Sequence, residues 1–157
     1  MSKIKFALFL LLAMAFAPSA APAHSHKKKG LEIVHPWTPA MLEASIANIP
    51  VYMTIKNLRA RDDRLLSAST ALARTVELIE PRDVGGTKLP TQVAAFTIGP
   101  RATLELNSSG PRLLLREVKK QLHAYDSFKL TLVFEKVGRI VVDVMVEEAD
   151  APAPHKH

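Results

Sequence analysis

Hydrophobic and polar side chains alternate with a period of two near the carboxyl end of the chain. Large apolar residues occupy every second position over residues 128–134, and the alternation returns over residues 140–146 after Val137-Gly138. Side chains of a β-strand point alternately to the two faces of its sheet, so this pattern predicts two strands that bury one face. The glycine between them is typical of a turn, and we predict a β-hairpin.

Shorter segments rich in β-branched, aromatic and leucine side chains recur through the rest of the chain. They predict strands near residues 31–34, 51–56, 75–79, 92–98, 103–106 and 112–115. Turn-forming sequences such as Gly85-Gly86 and Gly99-Pro100 separate them. Only residues 67–74 have a helical composition, which we interpret as a single turn. This spacing of strands predicts an all-β fold, a Greek-key β-sandwich.

Residues 1–23 have the composition of a secretory signal. Lys3 and Lys5 precede an apolar run over residues 6–16, and Ala21-Pro22-Ala23 provides the small residues that signal peptidase accepts. The run is about 11 residues long, too short to cross a bilayer of about 30 Å as a helix. We therefore expect export to the periplasm, cleavage after Ala23 and no stable membrane insertion. The alternative is an uncleaved membrane anchor.

The chain has 157 residues, a formal net charge of +6 and no cysteine. Its length suits one domain, which we place at residues 31–146 between two flexible tails, residues 24–30 and residues 147–157. Without cysteine there is no disulfide, no thiolate metal site and no cysteine to lipidate. The basic run Lys27-Lys28-Lys29 has no interleaved aromatic residues, so we predict weak attraction to anionic surfaces and no nucleic-acid binding.

The sequence lacks the residue patterns of the common catalytic sites. It has no cysteine nucleophile, no serine in a Gly-x-Ser-x-Gly setting and no glycine-rich phosphate loop before a helix. Most acidic residues fall in turns or at outward positions of the predicted strands. We therefore do not expect an enzyme.

Several segments resemble, in their order and spacing, the periplasmic copper chaperones of the PCu(A)C family. They are residues 31–33 followed by Trp37, residues 51–57, residues 63–65, residues 75–78, Gly85-Gly86 and residues 130–138. The resemblance covers about residues 31–146 and implies a cupredoxin-like β-sandwich, in agreement with the strand pattern. It also implies a copper-carrying role, with copper-accepting oxidase assembly proteins or an oxidase subunit as partners.

Proteins of that family hold copper through a histidine, a methionine and a His-x-Met pair, whose imidazole and thioether groups suit Cu(I). The resemblance assigns these four positions to Ile79, Pro90, Arg112 and Leu114, separated by ten, twenty-one and one residues. None of these side chains has a lone pair to donate. The charge of Arg112 about 4 Å from the ion would repel it by about 4 kcal/mol. We therefore expect no copper at the family's usual site.

Histidines near the two ends are the remaining candidate copper ligands. If cleavage follows Ala23, the mature chain begins His24-Ser25-His26. Its α-amine, two deprotonated backbone amides and the imidazole of His26 then form a square-planar nitrogen site that suits Cu(II), with His24 as a further donor. His155 and His157 add imidazoles at the other end. The alternative is that these terminal histidines bind no metal.

Two other histidines, His35 and His123, each stand alone near a predicted strand end. We interpret both as hydrogen-bonded surface groups, since a lone histidine is more often that than a metal ligand. Met41 lies in a predicted loop, where its thioether is an unmatched soft donor.

Two functions are consistent with these observations. The first is copper binding and chaperone activity in the periplasm, in copper delivery for respiratory oxidase assembly, with the metal held by the tails. The second is a metal-free binding module that contacts another envelope protein through Ile79, Arg112 and Leu114. Apolar anchors beside an arginine are typical of protein interfaces, and a shared fold does not fix a function.

Overall fold

The computed structural model describes residues 25–41 and residues 47–148. Over these two ranges the chain forms strands and turns and no helix. The strands are β1 (Ser25–Lys28), β2 (Leu31–Pro39), β3 (Ala47–Asn57), β4 (Asp63–Ser69), β5 (Thr75–Val84), β6 (Thr87–Gln92), β7 (Phe96–Ile98), β8 (Thr103–Leu106), β9 (Arg112–Val118), β10 (Ser127–Phe134) and β11 (Gly138–Glu147). The prediction of an all-β fold is confirmed.

The strands form one continuous mixed sheet. Their order is β6-β5-β9-β3-β2-β11-β10-β4-β7, with β1 also beside β2 and β8 also beside β3. The pairing of β11 with β2 is parallel, and the other pairs are antiparallel. Because β3 covers one edge of β2, strands β1 and β11 share the opposite edge, one after the other.

One hydrophobic cluster lies where the two halves of this sheet fold together. It includes Leu113 and Leu115 of β9 and also Leu130 and Leu132 of β10, which lie in different halves of the strand order and are fully buried. Strands β9, β10 and β11 bury alternate residues, so one face of the sheet points to this core and the other points outward. The outward face therefore carries the side chains that are available for binding.

The hairpin predicted from residues 128–146 is present. β10 and β11 pair from Ser127 with Met145 to Phe134 with Gly138. Other predicted strands lie within β2, β3, β5, β8 and β9. The segment predicted as one strand over residues 92–98 is divided, because Gln92 ends β6 and β7 begins at Phe96.

The alternation of side chains does not predict β4 or β6. In β4 the register against β10 shifts between Val133 and Phe134, and the buried positions depart from a period of two. Residues 67–69 therefore complete this strand and do not form the expected helical turn. β6 is exposed at almost every position, so it has no hydrophobic face for a pattern to show.

Strand β1 occupies a segment for which we expected a flexible tail. A two-residue turn at Lys29 and Gly30, with φ values of 45° and 82°, returns the chain so that β1 pairs with β2. Positive φ at both central residues matches the twist of a β-hairpin. Two of the basic side chains also have partners, Lys27 with Glu32 at 3.2 Å and Lys28 Nζ with the carbonyl of Arg139 at 2.6 Å.

The buried carboxylate of Asp63 connects the start of β4 with the turn between β10 and β11. It is 0% exposed and accepts the backbone N–H groups of Arg64 at 2.8 Å, Lys136 at 2.9 Å and Val137 at 3.1 Å. Arg59 Nη1 donates to Oδ2, the oxygen that also accepts from Val137, at 2.8 Å and balances the charge of the carboxylate. A buried carboxylate needs such compensation, and here it holds three segments of chain together.

Candidate functional site

The four positions that the resemblance assigns to copper ligands lie on neighbouring strands β5, β6 and β9. Ile79 of β5 pairs directly with Arg112 of β9, and Leu114 follows two residues along the same strand. Pro90 lies on β6 opposite Pro81, two residues from the position that pairs with Ile79. Paired residues and residues two apart share a face of a sheet, so these positions converge on one surface.

This surface is the outward face of the sheet. Leu78, Leu113 and Leu115 are buried in the core, and the alternate residues Arg112 and Leu114 are only partly buried. We use the name Arg112 face for the outward side chains of Ile79, Pro90, Arg112, Leu114, Pro50 and Tyr52. Ile79 is 4% exposed yet is not a member of the main core cluster.

The Arg112 face carries a positive charge and no metal-donor side chain at the four assigned positions. Arg112 Nη1 donates a hydrogen bond to the carbonyl of Gly110 at 3.3 Å. Burial raises the pKa of the Tyr52 hydroxyl above its usual value, and the nearby charge of Arg112 offsets part of this rise. The guanidinium of Arg112 thus lies near the partly dehydrated phenol of Tyr52, and this environment repels cations and favours anions.

An aromatic row extends the Arg112 face across the sheet. The ring centroids of Trp37 and Tyr52, which pair between β2 and β3, lie 4.9 Å apart at an angle of 56°. The imidazole of His35 stacks on Trp37 with centroids 6.3 Å apart and planes 18° apart. In register, one line of outward residues crosses five strands: Gln92, Ile79, Arg112, Tyr52 and Trp37.

His35 lies at an irregularity of β2. Its φ is 49°, and the register between β2 and β3 shifts between Val34 and Trp37. His35 Nε2 lies 2.5 Å from Glu147 Oε1 of β11, and the two side chains are 34% and 28% exposed. The prediction that His35 is a hydrogen-bonded surface group agrees with this contact.

His26 is the one predicted tail ligand that the described residues include. It lies in β1 opposite Ile33, is partly buried, and its Nε2 accepts the backbone N–H of Asp143 at 3.5 Å. In a hairpin with a two-residue loop, the pair of residues that closes the loop is hydrogen-bonded, and so is every second pair after it. The pair of His26 with Ile33 is the second pair after the closing pair, so the backbone N–H of His26 is hydrogen-bonded to β2. Three predicted ligands lie outside the described residues: His24, His155 and His157.

His123 and Met41 occupy different environments. The ring of His123 is mostly exposed, with Nδ1 3.6 Å from Asp126 Oδ2. Met41 packs partly buried against the core, and its backbone N–H donates to the carbonyl of Leu122 at 2.9 Å. The thioether of Met41 is thus part of the packing, in contrast to the free loop donor that we expected.

Two negative findings concern residues 25–41 and 47–148. No three histidine or carboxylate side chains within these ranges lie close enough together to hold a metal ion. No helix there is long and apolar enough to cross a membrane.

The aromatic row is the feature that sequence reasoning missed. Tyr52 belongs to a segment that we predicted as a strand, but Trp37 lies three residues beyond the predicted strand at residues 31–34, and nothing in the sequence indicates that the two residues pair. The register of β2 against β3, with its shift at His35, brings them together. Only a correct prediction of that shift could have found the row.

Comparison with known proteins gives the family. The LpqE-like family model, whose description is that of a lipoprotein, matches residues 31–146, which is more than half of the chain. No curated protein matches the chain.

Solved structures of PCuAC domains share the fold. The copper-bound PCuAC domain from PmoF2 is 26% identical, with a TM-score of 0.67 over 80% of this chain and 98% of that chain. The apo PmoF2 PCuAC domain is 27% identical, with a TM-score of 0.69 over 82% of this chain and 98% of that chain. The Cu(I)-DR1885 solution structure from Deinococcus radiodurans is 25% identical, with a TM-score of 0.63 over 83% and 85%. The chain therefore belongs to the LpqE-like family and is a PCu(A)C-type domain with a cupredoxin-like β-sandwich.

Proposed function

We propose that this chain is an exported, copper-binding, chaperone-like protein and not an enzyme. The observation that carries the proposal is its similarity, over nearly the whole length of the relative, to the copper-bound PCuAC domain from PmoF2. The amino-terminal signal-like segment supports export to the periplasm. The DR1885 structure, solved with Cu(I), is a second copper-bound relative.

The proposal places copper on the ends of the chain and not on the Arg112 face. Ile79, Pro90 and Leu114 have apolar side chains, and Arg112 has no lone pair to donate. Mature protein that begins at His24 binds one Cu(II) through its α-amine, two amides and the imidazole of His26. The histidines at positions 155 and 157 supply further donors.

The position of β1 gives this amino-terminal site a structural consequence. Cu(II) in a square-planar nitrogen site needs the amide nitrogens of Ser25 and His26. The amide of His26 faces Ile33 in the ladder, and its imidazole lies against Asp143. Copper binding therefore separates β1 from β2, and the separation lowers affinity relative to a free peptide of the same sequence.

A Cu(II) titration of mature protein with its native amino terminus tests the site. We expect one equivalent to produce the visible absorption of square-planar nitrogen ligation, and His26→Ala to abolish that band. His123→Ala is the matched control, because His123 is an exposed histidine elsewhere. Equal Cu(II) affinity of native and His26→Ala protein would remove the amino-terminal site from the proposal.

Copper delivery is the finer part of the proposal. The acceptors are copper-accepting oxidase assembly proteins or an oxidase subunit, as the PCu(A)C relationship suggests. Copper-loaded protein mixed with such an acceptor should lose its metal, and the transfer should be visible after separating the two. Retention of all copper in the presence of an apo acceptor would count against delivery.

The Arg112 face favours a second function, that of a metal-free module that docks on another envelope protein. Arg112 lies beside Tyr52 and close to the apolar side chains of Ile79 and Leu114, and its Nη1 donates a hydrogen bond to the carbonyl of Gly110. Arginine and aromatic residues are enriched at binding hot spots. Failure of mature native protein to bind either Cu(II) or Cu(I) would favour this function over the first.

A further inference from the structure

We propose that His35 and Met145 form a site for a soft monovalent cation, Cu(I) or Ag(I), over the indole of Trp37. The site is on the body of the fold and uses none of the tail histidines, so it extends the proposed copper function without depending on the amino-terminal Cu(II) site. It also uses none of the four positions on the Arg112 face. Three observations carry it: the hydrogen bond of His35, the register of Met145 and the stacking of Trp37.

The hydrogen bond to Glu147 prepares His35 as a ligand. An ionised carboxylate only accepts hydrogen bonds, so the contact of 2.5 Å between His35 Nε2 and Glu147 Oε1 places the proton of the neutral ring on Nε2. The lone pair is then on Nδ1, and within residues 25–41 and 47–148 no hydrogen bond occupies it. Histidines that bind metals usually donate their other ring N–H to a carboxylate in this way, which fixes the ring and raises its basicity.

The parallel pairing of β11 with β2 places Met145 beside Trp37, the residue on which His35 stacks. Met145 pairs with Trp37 and Glu147 pairs with Pro39, and the alternate residues Val144 and Val146 are buried. Met145 and Glu147 therefore share the outward face, about 7 Å apart along the strand. The imidazole of His35 lies over Trp37 and reaches Glu147, so it lies close to the level of Met145.

Trp37 completes the site without supplying a lone pair. Its ring is nearly parallel to the imidazole, with centroids 6.3 Å apart. A cation beside an indole face is stabilised by the ring quadrupole, and a soft ion benefits most when it is partly dehydrated. The side chain of His35 is 34% exposed, which gives an ion access from solvent.

The donor set determines which ion the site selects. One imidazole nitrogen and one thioether suit a soft ion of low coordination number, and thioethers select Cu(I) over the hard divalent ions. The carboxylate of Glu147 adds a negative charge beside the imidazole. The cation of Arg112 lies two strands away beyond Tyr52, about 10 Å from Trp37, where salt screens much of its repulsion.

Trp37 also provides a local reporter, because it is the single tryptophan of the chain. The experiment titrates Ag(I), as the nitrate in chloride-free buffer, into the mature full-length protein and follows tryptophan emission. We expect a saturable change at one equivalent. Met145→Leu and His35→Asn should each weaken the apparent affinity at least tenfold, and asparagine is chosen because it tolerates the positive φ at this position.

Two control variants separate this site from the others. Met41→Leu removes a thioether elsewhere, and His26→Ala removes the amino-terminal site; neither should alter the Ag(I) response of Trp37. The Cu(II) absorption of the same His26→Ala protein tests the amino-terminal site, so the two proposals fail independently. Unchanged Ag(I) affinity in both Met145→Leu and His35→Asn would overturn the inference.

A second measurement does not depend on tryptophan emission. Methyl NMR of methionine-labelled protein resolves Met41, Met53 and Met145 in the mature chain. Ag(I) should shift the methyl resonance of Met145 and leave that of the buried Met53 in place. A Met145 resonance that does not move at one equivalent of Ag(I) contradicts the site, even if every variant folds poorly.

Discussion

At the scale of single residues, Arg112 determines the electrostatics of the surface that carries the four assigned positions. Arg112 pairs across the sheet with Ile79. Burial raises the pKa of the Tyr52 hydroxyl, and the charge of the Arg112 guanidinium lowers it in part. Other arginines of this part of the sheet have carboxylate partners, such as Arg116 with Glu77 at 2.7 Å. The bonding of Arg112 to a neutral carbonyl leaves its charge uncompensated by that contact. The surface should therefore favour anions over metal ions.

Replacement of Arg112 should raise the pKa of Tyr52 further. Burial already raises this pKa, and removal of the nearby cation in Arg112→Met takes away the effect that opposes it. The chain has two tyrosines, so alkaline titration of the phenolate absorbance in a Tyr125→Phe background reports Tyr52 alone. Arg82→Met, at an exposed position of β5, should leave the pKa unchanged.

The ionisation of Tyr52 also changes the folding stability of the protein in a defined direction. The folded-state pKa of Tyr52 is raised, so its contribution to stability is complete below its unfolded pKa of about 10. That contribution is lost as the pH rises through the folded-state pKa. An unchanged or lower Tyr52 pKa in the Arg112→Met protein would contradict the assigned contact.

At the scale of elements, the turn before β2 depends on a glycine. Gly30 has a φ of 82°, and a Cβ added there would lie 2.6 Å from Arg59 Cγ. That side chain cannot easily move away, because Arg59 Nη1 is bound to the buried carboxylate of Asp63 at 2.8 Å. A side chain at position 30 would therefore disturb the buried ion pair of Arg59 and Asp63.

Gly30→Ala should destabilise the protein more than Gly86→Ala. Gly86 also has a positive φ, 87°, but nothing lies within 4 Å of a Cβ added there. Both variants carry the backbone cost of about 1–2 kcal/mol for an L-residue in this conformation. Only Gly30→Ala adds the clash with Arg59. Urea unfolding measures both, and equal losses would show that Arg59 can relax.

The sequence predicted strands correctly where apolar and polar residues alternate without interruption. Residues 128–146 alternate through two strands and a turn, so the β10–β11 hairpin could be predicted, and the structure supplies its register. The method failed for β4, where a register shift against β10 changes which residues are buried. The four assigned positions could be located by spacing, but their convergence depends on cross-strand pairs such as Ile79 with Arg112, which no local pattern encodes.

At the scale of the whole molecule, the fold retains a surface that can be tested by restoring donors. The proposed correspondence of Ile79, Pro90, Arg112 and Leu114 with copper ligands requires that the sheet presents them together. A chain with Ile79→His, Pro90→Met, Arg112→His and Leu114→Met should gain tight Cu(I) binding, measured by competition with a chromogenic chelator. A protein with three of these changes that keeps Arg112 is the control, and its affinity should be much lower.

The outcome tests the assignment itself. Gain of Cu(I) affinity in the fourfold variant, but not in the control, would show that the scaffold still has the geometry and lacks only the donors. A folded fourfold variant with no gain would mean that the spacing does not locate the family's ligands on this chain.

The shared edge of β2 has a practical consequence for the ends of the chain. Ser25 of β1 pairs with Val34, and Glu147 of β11 pairs with Pro39. Ser25 and Glu147 therefore lie about 17 Å apart along the edge of β2. A nine-residue extension can span up to about 30 Å, so a histidine-bearing extension of that length from β11 could reach copper held at the proposed amino-terminal site. A histidine affinity tag fused beyond β11 would therefore compete for copper at the proposed amino-terminal site, and untagged protein is the appropriate material for copper measurements.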